Sequence, residues 1–328
     1  MEPDPLSPSP PVDDDVAWQV ERYADPAAFT RAAADFLAAQ PVLSTVVSSA
    51  TAAWAGAVRP ASDEGFAPWW VTVREPGGPV VSVVMRTASF APHPLYVLPM
   101  PRGAALAVAA RLVERGDDAS SANGAAPATA WLLAELARLR GEARVPEVAV
   151  PIRLFELDAL VPPPRPPGLP RRADEGDLGW LVPVLGRFET EAARQAGRTV
   201  RDAGDHLDEH WVRRRLGDEG LWVWEDHGEP VCVVGATPTA YGVSRVGPVL
   251  TPEEHRGRGY AAALTAHVSA LRRDEGARVC LFTDAGNPVS NALYARLGFR
   301  PLTDMAEVVL RRRPPGERPG EARGCAVE

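Results

Sequence analysis

Apolar residues recur at three- and four-residue intervals from Gly176 to Ala196 and from Asp205 to Leu216, with acidic first turns and glycines at the ends. This pattern predicts two helices. Three β-rich runs follow, Leu221 to Glu225, Pro230 to Thr237 and Val243 to Thr251, separated only by DHGE and PTAYG. Connections that short require antiparallel neighbours and predict a three-stranded meander. After Thr251 the period becomes helical in PEEHRGRGYAAALTAHVSALRRDEG, where Leu264, Val268 and Leu271 share a face and Gly276 ends the helix. A short apolar strand, Arg278 to Asp284, then lies parallel to Val243–Thr251, because a helical crossover joins them. A helix from Val289 to Leu297 stops at Gly298, and Phe299 to Leu310 has β character. The order is ααβββαβαβ, an α/β chain with a mixed α+β sheet.

The N-terminal half repeats the rhythm. Asp25 to Ala39 reads as helix, Trp69 to Arg74 and Val80 to Thr87 as a hairpin across EPGG, and Leu95 to Leu98 as a strand before PRGAALAVAARLVERG. The run ATAWLLAELARLRG is similar to NALYARLGF, and VAVPIRLFEL takes the place of the last strand. A diverged internal duplication follows from this order.

At 328 residues, a prior of about 150 per domain suggests two domains. The run VPPPRPPGLP, residues 161–170, reads as a semi-rigid linker, since its prolines interrupt helix and favour extended chain. Residues 1–15, acidic and proline-rich, and 312–328, charged and without apolar period, are expected to be disordered tails. The domains are then 16–160 and 171–311.

The 35 basic residues are all arginine, so mechanisms built on an active-site lysine, including P-loop and Schiff-base chemistry, are excluded. A net charge of −8 opposes non-specific contact with nucleic acid or anionic membranes, and neither is expected as a partner. The uncharged stretch between Asp35 and Arg59 contains Gln40, Pro41 and many alanines, which does not make a membrane span. Cys232, Cys280 and Cys325 form no CxxC pair, and the first two sit in apolar runs. They read as strand thiols of a reducing, cytoplasmic compartment.

The richest segment chemically is VGPVLTPEEHRGRGYAAAL, residues 246–264. Gly257 and Gly259 remove side chains where a strand hands over to a helix, so backbone N–H groups can close on an anion. Arg256, Arg258 and the helix dipole add positive charge, and the expected ligand carries a pyrophosphate. A bare glycine-rich helix start is the bland alternative. The dinucleotide fingerprint is the sharper one: Gly257, Gly259 and Ala262 fit GxGxxA, with Asp284 at the end of the next strand. Against it, the glycines follow an antiparallel meander and are separated from the strand by PEEHR.

Here the sequence resembles the GNAT superfamily of acyl-CoA-dependent N-acyltransferases, whose motif [Q/R]xxGx[G/A] is matched by Arg256, Gly259 and Ala261. The resemblance runs through PEEHRGRGYA to DAGNPVSNALYARLGF, and in order of elements over about 171–311. It implies a GNAT-like domain preceded by a second, degenerate one, in which MPRGAAL keeps a single glycine. It further implies that Val249, Leu250 and Thr251 pair with the pantetheine of acetyl-CoA or another acyl-CoA. By the same resemblance residues 256–261, Tyr260 included, hold the pyrophosphate, and Asn287 and Ser290 sit beside the cofactor. Tyr294 falls where such enzymes place the acid that protonates the departing thiolate. Read from spacing alone, Tyr294 is first of all a core aromatic, and Asn287 is equally a helix cap before Pro288.

The strand VSRVGPVLT lacks the carboxylate that often acts as base in relatives, so the base stays unassigned. Glu189, Glu191 and Asp202 either line an acceptor pocket or form a solvated face. His206 and His210 are four apart on a helix, but no third ligand is evident and no metal is expected. The expected activity is acyl transfer from CoA to an amine acceptor by direct attack in a ternary complex. A non-catalytic acyl-CoA sensor and, behind it, a nicotinamide-dinucleotide enzyme are the alternatives.

Overall fold

A computed structural model describes residues 17–56, 65–89, 91–197 and 207–312. Residues 1–15 and 313–328 of the expected tails, Asp202, His206 and Cys325 lie outside the described residues, while Arg312 ends the last strand.

The N-terminal elements are β1 (Gln19–Tyr23), α1 (Pro26–Ala32), α2 (Ala34–Ala39), α3 (Thr45–Ala55), β2 (Trp69–Arg74), β3 (Val80–Arg86) and β4 (Leu95–Val97). They continue with α4 (Arg102–Glu114), β5 (Ser121–Ala125), α5 (Ala126–Leu139), β6 (Arg144–Leu157) and β7 (Leu169–Arg172). Then come α6 (Leu178–Leu185), α7 (Phe188–Gln195), α8 (Glu209–Gly217), β8 (Leu221–Asp226), β9 (Glu229–Ala236) and β10 (Val243–Leu250). The chain closes with α9 (Tyr260–Asp274), β11 (Arg278–Asp284), α10 (Pro288–Arg296) and β12 (Phe299–Arg312).

The chain forms two compact units, and neither is a continuous segment. Among the described residues, one comprises 17–32, 65–89, 91–149 and 307–312, the other 33–56, 150–197 and 207–306. This revises the expected division into 16–160 and 171–311. Helices α2 and α3 leave the N-terminal half and join the second unit, where Val42 and Leu43 pack with Leu154, Val243, Cys280 and Met305. The proline-rich run 161–170 does not separate the units. It is docked within the second one: the Val161 N–H bonds the Leu297 carbonyl at 3.0 Å, Trp224 Nε1 donates to the Pro167 carbonyl at 2.7 Å, and β7 pairs with β8.

In the first unit β2–β3 and β3–β4 are antiparallel and β4–β5 parallel, with Leu95–Val97 against Ala122–Gly124. The second unit repeats this order: β8–β9 and β9–β10 antiparallel, β10–β11 parallel. The order β-β-β-α-β-α is thus common to both, as the duplicated rhythm predicts. The predicted helix Gly176–Ala196 is instead a 3-10 turn and two helices, α6 and α7, broken at Gly186 and Arg187. The predicted helix Asp25–Ala39 is likewise two, parted at Ala33.

Alternation along β8 and β9 sorts side chains onto two faces. Trp222, Trp224, Cys232 and Val234 meet Leu264 and Val268 of α9, with Tyr294 and Phe299. Leu221, Val223 and Val233 meet Leu181, Val184 and Leu185 of α6, with Val212 of α8. On β10 the register shifts between Val246, opposite Ala236, and Val249, opposite Val234. One extra residue reverses parity, so Val246 belongs to the α9 face and Leu250 to the α6 face. Gly235 permits this bulge, because a Cβ there would stand 2.6 Å from the Gly247 carbonyl oxygen.

Candidate active site

The parallel ladder between β10 and β11 spans only Val243–Arg245 against Arg278–Cys280. Beyond it β10 continues to Leu250, still paired with β9, while β11 turns to β6 through Cys280–Asp284 against Glu156–Ile152. The β11-facing edge of residues 246–250 therefore carries no strand ladder. Backbone donors and acceptors there are available to an extended ligand.

The glycine segment lies at the end of this edge. Gly257 (φ +76°) and Gly259 (φ +87°) adopt left-handed backbone, and Gly259 is the N-cap of α9. A Cβ at either would meet no protein atom within 4 Å, so the cradle is open where a ligand would lie. The first N–H groups of α9 have no intrahelical acceptor, and with the positive end of the dipole they form an anion site. These are features that a pyrophosphate fits. In the first unit the corresponding helix α4 starts right after Pro101, which holds φ −58°, and no left-handed glycine precedes it. That strand–helix junction forms no comparable cradle.

Side chains of the segment behave differently from expectation in two cases. Arg256 is not a free phosphate ligand: its Nε donates to the Thr251 carbonyl at 3.0 Å and its NH2 to Glu191 Oε2 at 2.7 Å. Tyr260 turns inward, 2 % exposed, and donates its hydroxyl to Asp226 Oδ2 at 2.6 Å, so only its backbone faces the cradle. The hydrogen bond to Asp226, with burial, raises its pKa. Leu250 too is buried, toward α6, leaving its backbone at the strand edge. Arg258 is exposed beside the cradle and Ala261 is half-buried.

Asn287 is 3 % exposed and serves as a cap: Oδ1 accepts from the N–H groups of Val289 and Ser290, both at 3.1 Å, and Nδ2 donates to Gln195 Oε1 at 3.2 Å. Asn291, which the sequence did not single out, closes the same loop by donating Nδ2 to the carbonyls of Asp284, Ala285 and Asn287. Its signal was present only as a polar residue four beyond a cap. Tyr294 is buried on the α9 face among Leu297, Phe299 and Cys232. Burial and the nearby Cys232 raise its pKa well above the ordinary phenol range. Burial also pushes the Cys232 thiol up to about 12. Both groups are protonated at neutral pH.

One sequence-level alternative loses ground. The dinucleotide fingerprint needs successive parallel strands, whereas β8, β9 and β10 are antiparallel. Asp284, its expected ribose ligand, accepts from the N–H of Gly286 in its own loop at 2.8 Å. Among the described residues no cluster of three or more His, Cys, Asp or Glu could hold a metal ion, and no helix is long and apolar enough to cross a membrane.

Comparison with known proteins agrees with the geometry. The acetyltransferase (GNAT) family model matches residues 187–299, which hold β8 to β11, the cradle and α10. The second unit therefore carries a GNAT-family domain. A GCN5-related N-acetyltransferase from Sphaerobacter thermophilus is 18% identical, covers 90% of this chain and 96% of its own, and superposes with a TM-score of 0.50. A Drosophila protein is 15% identical over 89% of this chain and 98% of its own, with a TM-score of 0.59. Both likenesses concern the fold, and both extend over the N-terminal half. No curated protein matches the sequence significantly.

Proposed function

We propose that the protein is an acyl-CoA-dependent N-acyltransferase that moves an acetyl or similar acyl group to an amine by direct attack in a ternary complex. The observation that carries this reading is the parting of β10 from β11 beyond Arg245 and Cys280, next to the left-handed Gly257–Gly259 turn. An open strand edge and an anion cradle at its end match a ligand with an amide-bearing arm and a pyrophosphate.

Acyl-CoA, when bound, supplies the thioester that the amine attacks. The backbone of Val249, Leu250 and Thr251 would pair with the pantetheine amides, and N–H groups of residues 256–261 would hold the pyrophosphate, with Arg258 as the exposed cation. Ser290 and the Asn287 cap fix the neighbouring loop. N–H donors along the β10 edge stabilise the oxyanion as it forms. Tyr294, kept protonated by burial, holds the proton that this reading assigns to the leaving thiolate and cannot serve as the base for the amine. In this reading the first unit is a degenerate GNAT-like domain without an acyl-CoA site. The test is release of free CoA thiol from acetyl-CoA across a panel of small amines, amino acids, aminoglycosides and peptide N-termini. Thiol release that depends on one class of amine supports the reading, and acetyl-CoA binding without turnover on any of them favours a sensor.

A further inference from the structure

Helix α7 precedes the glycine segment by some sixty residues in sequence, yet it is tied to both loops on which the acyl-CoA reading depends. Glu191, Arg194 and Gln195 stand at i, i+3 and i+4, and so on one face. Glu191 Oε2 accepts from Arg256 NH2 at 2.7 Å and from Arg194 NH2 at 3.0 Å. Arg194 NH2 also donates to Glu253 Oε2 at 2.8 Å, and Gln195 Oε1 accepts from Asn287 Nδ2 at 3.2 Å. One face of α7 thus grips residues 253–256 before the cradle and the cap of α10.

The central link is Arg256. Its Nε on the Thr251 carbonyl joins the loop to the end of β10, and its NH2 on Glu191 joins the same loop to α7. A planar guanidinium held at two of its donors fixes the direction of the backbone that leads into Gly257 and Gly259. Both side chains are largely shielded, at 28% exposure for Arg256 and 19% for Glu191. Hydrogen bonding from Arg256 also holds the Glu191 carboxyl below its usual pKa range, so the pair is ionised at neutral pH.

Resting on the acyl-CoA reading above, we propose that Glu191 is a positioning residue for the cofactor: it holds Arg256 on the Thr251 carbonyl and so sets the cradle against the β10 edge. Glu191 touches neither the cofactor nor the reacting atoms in this assignment.

The experiment is calorimetric titration of the full chain with acetyl-CoA, for wild type, Glu191→Gln and Arg256→Lys, with thermal melting of each and steady-state turnover on an accepted amine. Glu191→Gln is expected to weaken binding about fivefold to tenfold while kcat at saturating acetyl-CoA changes less than about twofold. In wild type KM for acetyl-CoA should rise as pH falls through the depressed Glu191 pKa, and this rise should be missing in Glu191→Gln. A purely structural role would lower the melting temperature without that KM signature. Arg256→Lys keeps the cation but lacks the fork, and reads the same weakening if Glu191→Gln fails to fold. Wild-type binding with an unchanged or tighter Kd in Glu191→Gln overturns this proposal alone. No binding by wild type overturns it together with the acyl-CoA reading.

Discussion

The ring of Tyr294 meets Phe299 edge to face, with centroids 5.9 Å apart and planes at 68°. The ring is thus a packing element, whatever its hydroxyl does. Tyr294→Phe should keep this contact and leave the melting temperature and acetyl-CoA affinity unchanged, while turnover falls about 100-fold. Burial raises the phenol pKa, so wild-type kcat should show no alkaline loss near the ordinary tyrosine value of about 10. Unaltered turnover in the variant would remove Tyr294 as the acid.

Gly259 holds a φ of +87° with open space where a Cβ would project. Valine there introduces both backbone strain, about 1–2 kcal/mol, and bulk into the cradle. Gly259→Val should therefore lose acetyl-CoA binding by calorimetry, whereas a valine at Gly141, which has φ +67° and open space around it but belongs to the first unit, should cost stability alone.

A fragment beginning at residue 161 lacks α3 and β6. Strand β11 then loses its partner β6, and Val243, Cys280 and Met305 lose Val42 and Leu154. The fragment is expected to give no cooperative melting transition by circular dichroism. A fragment as stable as the full chain would contradict the assignment of residues 33–56 and 150–160 to the second unit.

Asp177, 7 % exposed, accepts two bonds of 2.7 Å from Arg171 NH1 and NH2 and a third of 2.9 Å from the Asp174 N–H. Burial acts to raise its pKa, but Arg171 and the Asp174 N–H more than offset it and the pKa is lowered. A depressed carboxyl contributes stability that is fully present above its unfolded pKa of about 4 and is lost as pH falls through the folded value. Asp177→Asn should cost about 2 kcal/mol at pH 7, discounted for the half-open Arg171. In thermal melts the difference from wild type should shrink toward pH 2.

Strands β8, β9, β10 and β11 and helices α9 and α10 were legible because their apolar positions follow one period and their turns carry glycine or short polar runs. The parallel pairing of β10 with β11 followed from the intervening helix. Strand β5, SANGA, was not legible, since it has no β-branched residue and packs through its smallness; a Cβ at Gly124 would stand on the Val97 carbonyl. Helix α3 was obscured because its buried face mixes Thr45, Ser48 and Thr51 with Val47 and Trp54. Its membership in the second unit depends on contacts across more than a hundred residues, which no local pattern records. The same holds within the site. The backbone of the cradle could be read from RGRG, but the Arg256 side chain could not, because its partner Glu191 lies on another helix.

The most direct test of the account is calorimetric titration of the full chain with acetyl-CoA, with NADH in parallel. The account predicts saturable binding of one acetyl-CoA per chain, at the second unit, and none of NADH. Absence of acetyl-CoA binding, or NADH binding alone, would contradict the reading of the parted β10 edge and its glycine cradle.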